Sequence, residues 1–238
     1  LIATIVIVIM FLFIAVRLWD YVFLYRKSKE LDNLKNEFIS MASHELRTPV
    51  TGIRGYAEMM LDGSFGVLDG KLKDSVKMVK GAADRLSVLV EDLLNVSRIE
   101  QNRVVIDFEK VNIYDTVSST IDELMVQAQK KNLKMFLTCL TKDLPLVNID
   151  TDKLKQVLIN LIGNSIKYTE TGKVEVYIEA KEKTGNLDIK IKDTGIGMSA
   201  KAKTRLFEKF YRIQNDKTRN IRGTGLGLWI TKQLVELM

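Results

Sequence analysis

The chain has very little of several residue types. Among its 238 residues there is one cysteine, one histidine and two prolines. The lone Cys139 excludes an intrachain disulfide and fits a reducing compartment. The 14 glycines are few, and five of them crowd into two places near the end, Gly195 with Gly197 and Gly223 with Gly225 and Gly227. Charge of one sign is also scarce, since 36 basic residues against 30 acidic leave only +6. No platform of basic and aromatic residues is present, which excludes a nucleic-acid partner. The start has neither a basic opening nor a small-residue cleavage site, so it is not a secretory signal. An apolar content of 46% supports a real core and excludes disorder of the whole chain.

The N-terminus is apolar. Leu1 to Val16 carries no charge, and the apolar character continues through Leu18, Trp19, Tyr21, Val22, Phe23, Leu24 and Tyr25. A bilayer helix needs about 20 such residues, and Arg17 can snorkel. Arg26, Lys27 and Lys29 come next as a basic flank. The expectation is a transmembrane helix with its flank over residues 1–28. It makes the protein membrane-anchored, with residues after about 26 cytoplasmic. The first residue is Leu, not Met, so sequence upstream is expected.

Residues 29–103 read as a helical hairpin. Leu31, Leu34, Phe38 and Met41 fall at heptad spacing, and a second stripe continues at Leu46, Val50, Ile53, Ala57 and Met60. Gly63 to Gly70 breaks the helix. A second helix then carries Leu72, Val76, Val79, Ala83, Leu86, Val90 and Leu93. Two such helices bury little alone. Pairing two hairpins into a four-helix bundle hides both seams and predicts a homodimer. The sole histidine, His44, lies between the two stripes of the first helix. Glu45 adjoins it, and Thr48 shares its face one turn on. Pro49 removes a backbone donor and predicts a kink there. A single histidine is ordinarily a solvated surface residue, and a coiled-coil spacer would explain the stripes equally well. The spacer gives no reason for Ser43-His44-Glu45-Leu46-Arg47-Thr48-Pro49.

Residues 104–238 read as a mixed α/β domain, a sheet with helices packed on one face. Strands are expected at Val104–Phe108, Met135–Cys139, Val174–Ile178 and Leu187–Ile191. Helices are expected around Asp115–Lys130, Asp152–Tyr168 and Leu226–Met238. In the middle helix Leu154, Val157, Leu158, Leu161 and Ser165 form the buried side. Asn160, Asn164 and Lys167 share the other side. Two carboxamide oxygens and a cation can hold hydrated Mg²⁺ and the phosphates that it bridges. Asp193-Thr194-Gly195-Ile196-Gly197 comes after a strand, where a carboxylate can accept from an adenine amino group and glycines let backbone approach a ring. Arg222-Gly223-Thr224-Gly225-Leu226-Gly227-Leu228 opens the last helix, whose free N–H groups suit phosphate. It is neither a dinucleotide fingerprint nor a Walker A loop. Phe207 to Arg212 reads as an aromatic hinge, and Gln214 to Arg222 as a mobile lid.

In combination these segments resemble the sensor histidine kinases of bacterial two-component systems. Ser43–Pro49, Asn160–Thr169, Asp193–Met198 and Gly223–Leu228 match that family's motifs in order, with Phe207–Arg212 as a fifth. The resemblance covers about residues 30–238. It implies a dimeric four-helix-bundle hairpin and an α/β sandwich ATP-binding domain. His44 would be the phosphorylated nucleophile and Glu45 its general base, with Thr48 positioning water for dephosphorylation of the partner. Asn160 and Asn164 would hold Mg²⁺, Lys167 a phosphate, and Tyr168 would lie near the base or ribose. Asp193 would read adenine. Gly195, Gly197, Arg222, Gly223, Thr224, Gly225, Leu226 and Gly227 would shape the lid and the phosphate turn.

The partner implied is the receiver domain of a response regulator, phosphorylated on aspartate. Gyrase and heat-shock ATPases share the nucleotide fold but carry a water-activating glutamate where Asn160 stands, so transfer to a protein group is the expected output. Ser165 replaces a common alanine, and Arg222 a common glycine. Family members continue with two more strands beyond Met238, so C-terminal truncation is expected. The alternatives are a non-catalytic tethered scaffold and a phosphatase-dominant member.

Overall fold

The computed structural model describes residues 2–141, 143–181, 185–213, 215, 216, 218, 219, 221 and 223–238, with side chains from residue 10 onward. The chain forms two compact units, Leu1–Arg103 and Val104–Met238.

The first unit is a pair of long helices, α1 (Ile2–Asp62) and α2 (Gly70–Glu100). α1 runs unbroken through Pro49. The turn between them uses Gly63 and Gly66 at φ +91° and +99°, a region that side chains rarely adopt. Asp69 then caps α2, its carboxylate accepting from the Leu72 N–H at 2.7 Å.

The expected transmembrane helix over residues 1–28 is overturned. Among the described residues no helix is long and apolar enough to cross a membrane. Charge is the physical reason. The uncharged run ends at Arg17, and Asp20 lies within a turn of it, which leaves the run short of about 20 apolar residues. Membrane anchoring, and the cytoplasmic placement of the residues after about 26, fall with it. Part of that expectation rests on Leu1 and the side chains of residues 2–9, which lie outside the described residues.

The stripe Leu31, Leu34, Phe38 and Met41 stays wholly exposed, whereas the stripes that follow, on α1 from Leu46 and on α2 from Leu72, each split into two rows. Asn36, Ser43, Val50 and Ala57 on α1, at seven-residue spacing, are buried, as are Val76, Ala83, Val90 and Ser97 on α2. Their alternates, Leu46, Ile53 and Met60 with Leu72, Val79 and Leu86, stay exposed. Two helices can cover only one row each, and small side chains in that row let the backbones approach. The polar end of the row is bonded, with the Ser97 hydroxyl donating to the Asn36 carbonyl at 3.1 Å. Arg47 and Glu91 form an exposed ion pair at 2.8 Å, which contributes little.

The second unit has five strands and four helices among the described residues. They are β1 (Glu109–Val111), α3 (Ile113–Lys130), β2 (Lys134–Cys139), β3 (Val147–Ile149), α4 (Thr151–Tyr168), β4 (Lys173–Lys181), β5 (Asn186–Asp193), α5 (Ala200–Arg205) and α6 (Gly227–Leu237). β2, β4 and β5 form one sheet with β4 central, parallel to β2 and antiparallel to β5. Alternation along β4 sends Val174, Val176 and Ile178 into the core against Ile121, Leu124, Leu158 and Ile162 of α3 and α4. β1 and β3 pair separately and antiparallel. The expected strand at Val104–Phe108 is absent, and Val105 is 81% exposed. Alternation is present there, but the backbone partner β3 reaches only Glu109–Val111.

α4 is anchored at its start by Asp150. This buried carboxylate accepts from the Lys153 N–H at 2.9 Å and the Asp107 N–H at 3.0 Å. Burial alone would raise its pKa. The backbone donors and the Lys153 charge outweigh that and hold it below the ordinary 3.8. Its contribution to stability is therefore complete above the ordinary value and is lost as pH falls through the lower folded value. Asp150→Ala is expected to cost about 1–2 kcal/mol at neutral pH and to remove this acid dependence, checked by denaturant melts from about pH 7 down to about pH 3.

Candidate functional site

Two places carry chemistry, one in each unit. In the hairpin, burial of Ser43 and Val50 on α1 fixes the rotation of the turn between them. His44, Glu45, Leu46, Arg47, Thr48 and Pro49 are all exposed as a result. The imidazole is 73% and the Glu45 side chain 78% exposed, with Nδ1 3.6 Å from Oε1. That is longer than a hydrogen bond. An accessible ring with a carboxylate at one nitrogen leaves the other nitrogen open to an electrophile.

In the second unit the site gathers on the C-terminal half of α4. Leu154, Val157, Leu158, Ile162, Ser165 and Ile166 are buried. The expected row has Leu161 in place of Ile162, and Leu161 is half-buried. Asn160, Asn164, Lys167 and Tyr168 lie half-buried on the flank. The Asn160 amide donates to Thr231 Oγ1 of α6 at 2.6 Å, and the Asn164 amide lies 3.4 Å from Asn160 Oδ1. A Cβ on Gly227 would fall 2.5 Å from Asn160 Oδ1, so only glycine lets α6 start this close. α6 opens there without a side-chain cap, so its first N–H groups are not taken by a capping side chain.

A Cβ on Gly223 would lie 2.8 Å from Lys167 Nζ. Burial, and then the Arg212 charge, push the Lys167 pKa below its ordinary value. An anionic ligand would relieve both effects. The same ammonium sits 5.2 Å from the Tyr168 ring centroid. Gly225, at φ +76°, packs on the Phe210 backbone, and the Phe210 N–H donates to its carbonyl at 3.0 Å. The Thr224 hydroxyl accepts from the N–H of the buried Leu226 at 3.1 Å. Arg222 lies outside the described residues, as do Gln214, Lys217 and Asn220 of the expected lid.

At the other end stands Asp193, the last residue of β5. Its Oδ1 accepts from the Gly195 N–H at 2.9 Å, and its Oδ2 lies 3.4 Å from the Ser165 hydroxyl. A Cβ on Gly195 would strike the Tyr168 carbonyl at 2.5 Å, with Asp193 Oδ1 and Thr169 Oγ1 at 2.9 Å. Thr169 is wholly buried, and its Oγ1 has no hydrogen-bond partner. Gly197 takes φ +65° beyond this turn. Among the described residues no group of three or more His, Cys, Asp or Glu is placed to hold a metal ion. A cation here would draw on carboxamide oxygens and on its own ligand.

Three contributors are not anticipated by the sequence reading. Thr231 meets Asn160, Ser165 meets Asp193, and the Lys131 ammonium donates to the carbonyls of Ile166 (2.9 Å), Lys167 (2.9 Å) and Thr169 (3.2 Å). Lys131 thereby closes the C-terminal turn of α4. The one available signal is Thr231, four residues past Gly227 and so on the same helical face.

Comparison with known proteins bears on both places. Residues 34–102 match the His Kinase A (phospho-acceptor) domain, and residues 149–238 match the histidine kinase-, DNA gyrase B- and HSP90-like ATPase. The chain belongs to the two-component sensor histidine kinases. It is 34% identical over 215 residues to drug sensory protein A of Synechocystis, covering 87% of this chain and 32% of that protein. It is 34% identical over 217 residues to the sensor histidine kinase GacS of Pseudomonas protegens, covering 90% of this chain and 23% of that one. Full-length ShkA, crystallised with AMPPNP, matches with a TM-score of 0.70 at 29% identity, over 85% of this chain and 41% of that one. The chain thus spans about a third or less of the curated relatives named.

Proposed function

We propose that this chain is an ATP-dependent protein histidine kinase whose phosphoacceptor is His44. The observation that carries the reading is the gathering of Asn160, Asn164, Lys167, Asp193 and the close-approach glycines at one end of α4, in a chain that also exposes His44 beside Glu45. Residues 29–103 form the phosphotransfer hairpin and residues 104–238 the nucleotide domain. Asp193 accepts from the adenine amino group. Gly195 and Gly197 shape that turn, Tyr168 lies against the base or ribose, and Lys167 neutralises phosphate. Gly223, Thr224, Gly225, Leu226 and Gly227 form the phosphate turn at the head of α6. Asn160 and Asn164 would hold Mg²⁺ through their carboxamide oxygens, and the ion would supply positive charge to the phosphates.

Glu45 takes the proton from one imidazole nitrogen, and the other nitrogen attacks the γ-phosphorus. The bond from that phosphorus to the β,γ-bridging oxygen breaks, and ADP leaves. The phosphoryl group then passes from the ring to an aspartate carboxylate of a response-regulator receiver domain. With an amide at Asn160 and no carboxylate, nothing at that position activates water, which favours transfer over hydrolysis. The test is incubation with γ-labelled ATP and Mg²⁺. Acid-labile, base-stable label on the protein is the expected outcome, lost when EDTA removes the metal. Label that is acid-stable would refute the assignment.

The exposed row Leu46, Ile53, Met60, Leu72, Val79 and Leu86 supports a homodimer, in which two hairpins bury these residues against each other. Val79→Glu is expected to weaken self-association by about a hundredfold or more, read by sedimentation equilibrium, because the dimer would bury an unpaired charge. Thr48 is exposed one turn from His44, which supports a role in orienting water for a phosphatase reaction on the regulator. Thr48→Ala should lower only that activity.

A further inference from the structure

We infer that Ser165 is a positioning residue that holds the Asp193 carboxylate in the orientation that selects a 6-amino purine. The inference rests on the nucleotide reading above and deepens it. Asp193 stands at the exposed end of β5, where its carboxylate meets a backbone N–H and a hydroxyl. A carboxylate in that position is free to rotate about its last bond unless both oxygens are held. One oxygen is held by backbone, through the Gly195 N–H at 2.9 Å. The other faces the hydroxyl of Ser165 at 3.4 Å, long for an O–H···O bond in the free protein. Ser165 is itself only 8% exposed and rides on α4, whose register is locked by Leu158, Ile162 and Ile166 in the core. Its Cβ is therefore held in place beside Asp193.

Each carboxylate oxygen has two acceptor positions, so one on each remains for a ligand after these contacts. Together they present a plane of acceptors fixed in orientation. A purine with an amino group at carbon 6 donates into that plane. A purine with a carbonyl there places acceptor against acceptor, and the fixed plane cannot turn to avoid it. Thr169 gives independent support. Its hydroxyl is wholly buried and unpaired, and it lies at the same point, since a Cβ on Gly195 would be 2.9 Å from both Thr169 Oγ1 and Asp193 Oδ1. A buried hydroxyl left unpaired is costly, and a base or a water bound beside Asp193 would satisfy it.

Ser165→Ala removes one oxygen and adds nothing, so the core of α4 is preserved. The expected result is a loss of about three- to tenfold in ATP affinity, with inosine triphosphate affinity unchanged, so that discrimination falls by the same factor. The measurement is displacement of trinitrophenyl-ATP from the full chain by ATP and by inosine triphosphate. It is made on wild type, Ser165→Ala, Asp193→Asn and the double variant. If Ser165 acts through Asp193, its substitution has no further effect once Asp193 is replaced. Equal weakening of both nucleotides, or an undiminished Ser165→Ala effect in the Asp193→Asn background, would overturn the inference while leaving the nucleotide site intact. Failure of the wild-type chain to bind ATP at all would overturn the nucleotide reading, and this inference with it.

Discussion

His44→Gln should abolish the acid-labile label, a fall of more than about a thousandfold, while leaving nucleotide binding unchanged. Glutamine keeps polarity and similar bulk but has no basic ring nitrogen to form a phosphorus–nitrogen bond. His44 is exposed, and its neighbours Ser43 and Val50 carry the packing of that turn, so the helix tolerates the change. The chain has no second histidine to take over. Quantitative autoradiography with a parallel trinitrophenyl-ATP titration checks both halves of the expectation. Residual label at the wild-type level would place the acceptor elsewhere. Glu45→Gln should be milder, because a positioned base contributes about a hundredfold and the ring retains its own nucleophilicity.

Asp193→Asn should weaken ATP binding by about a hundredfold. The carboxylate is acceptor-only and takes the Gly195 N–H on one side. An amide keeps one oxygen for the Gly195 N–H and puts its N–H₂ where the second carboxylate oxygen was. The Ser165 hydroxyl can turn to accept from that N–H₂, but an incoming amino group meets donor against donor. Labelling at low ATP should fall in proportion and recover at saturating ATP, because the transfer chemistry at His44 is untouched. A variant that binds ATP normally would remove Asp193 from the base-reading role.

Much of this is legible from spacing. The i, i+4, i+7 placement of Asn160, Asn164 and Lys167 predicts one helix flank, and α4 puts them there because its opposite side is continuous core. The break at Gly63–Gly70 and the strands β2, β4 and β5 are visible as changes of hydrophobic period. The features that escape fall into three physical kinds. Runs of three residues, β1 and β3, are too short to display any period. Partners from distant segments leave no local trace: Thr231 lies 71 residues from Asn160, and Lys131 lies 38 from Thr169. The apolar start suggests a bilayer helix by its greasiness, but the charges of Arg17 and Asp20 leave its apolar length too short. The split of the stripes from Leu46 and from Leu72 into a covered and an uncovered row is implicit in the pattern, but only packing reveals which alternate residues go inward.

For the proposed homodimer that split has a consequence for folding. Among the described residues, one copy of the hairpin buries Asn36, Ser43, Val50 and Ala57 with Val76, Ala83, Val90 and Ser97, a seam of mostly small and polar groups, and also Leu94, Val96 and Ile99 near the end of α2. In the proposed homodimer the exposed row of Leu46, Ile53, Met60, Leu72, Val79 and Leu86 is covered by a second copy, which couples the ordering of this unit to association. Dilution alone should then depress its melting temperature, and a van't Hoff plot against the logarithm of chain concentration should be a sloping line.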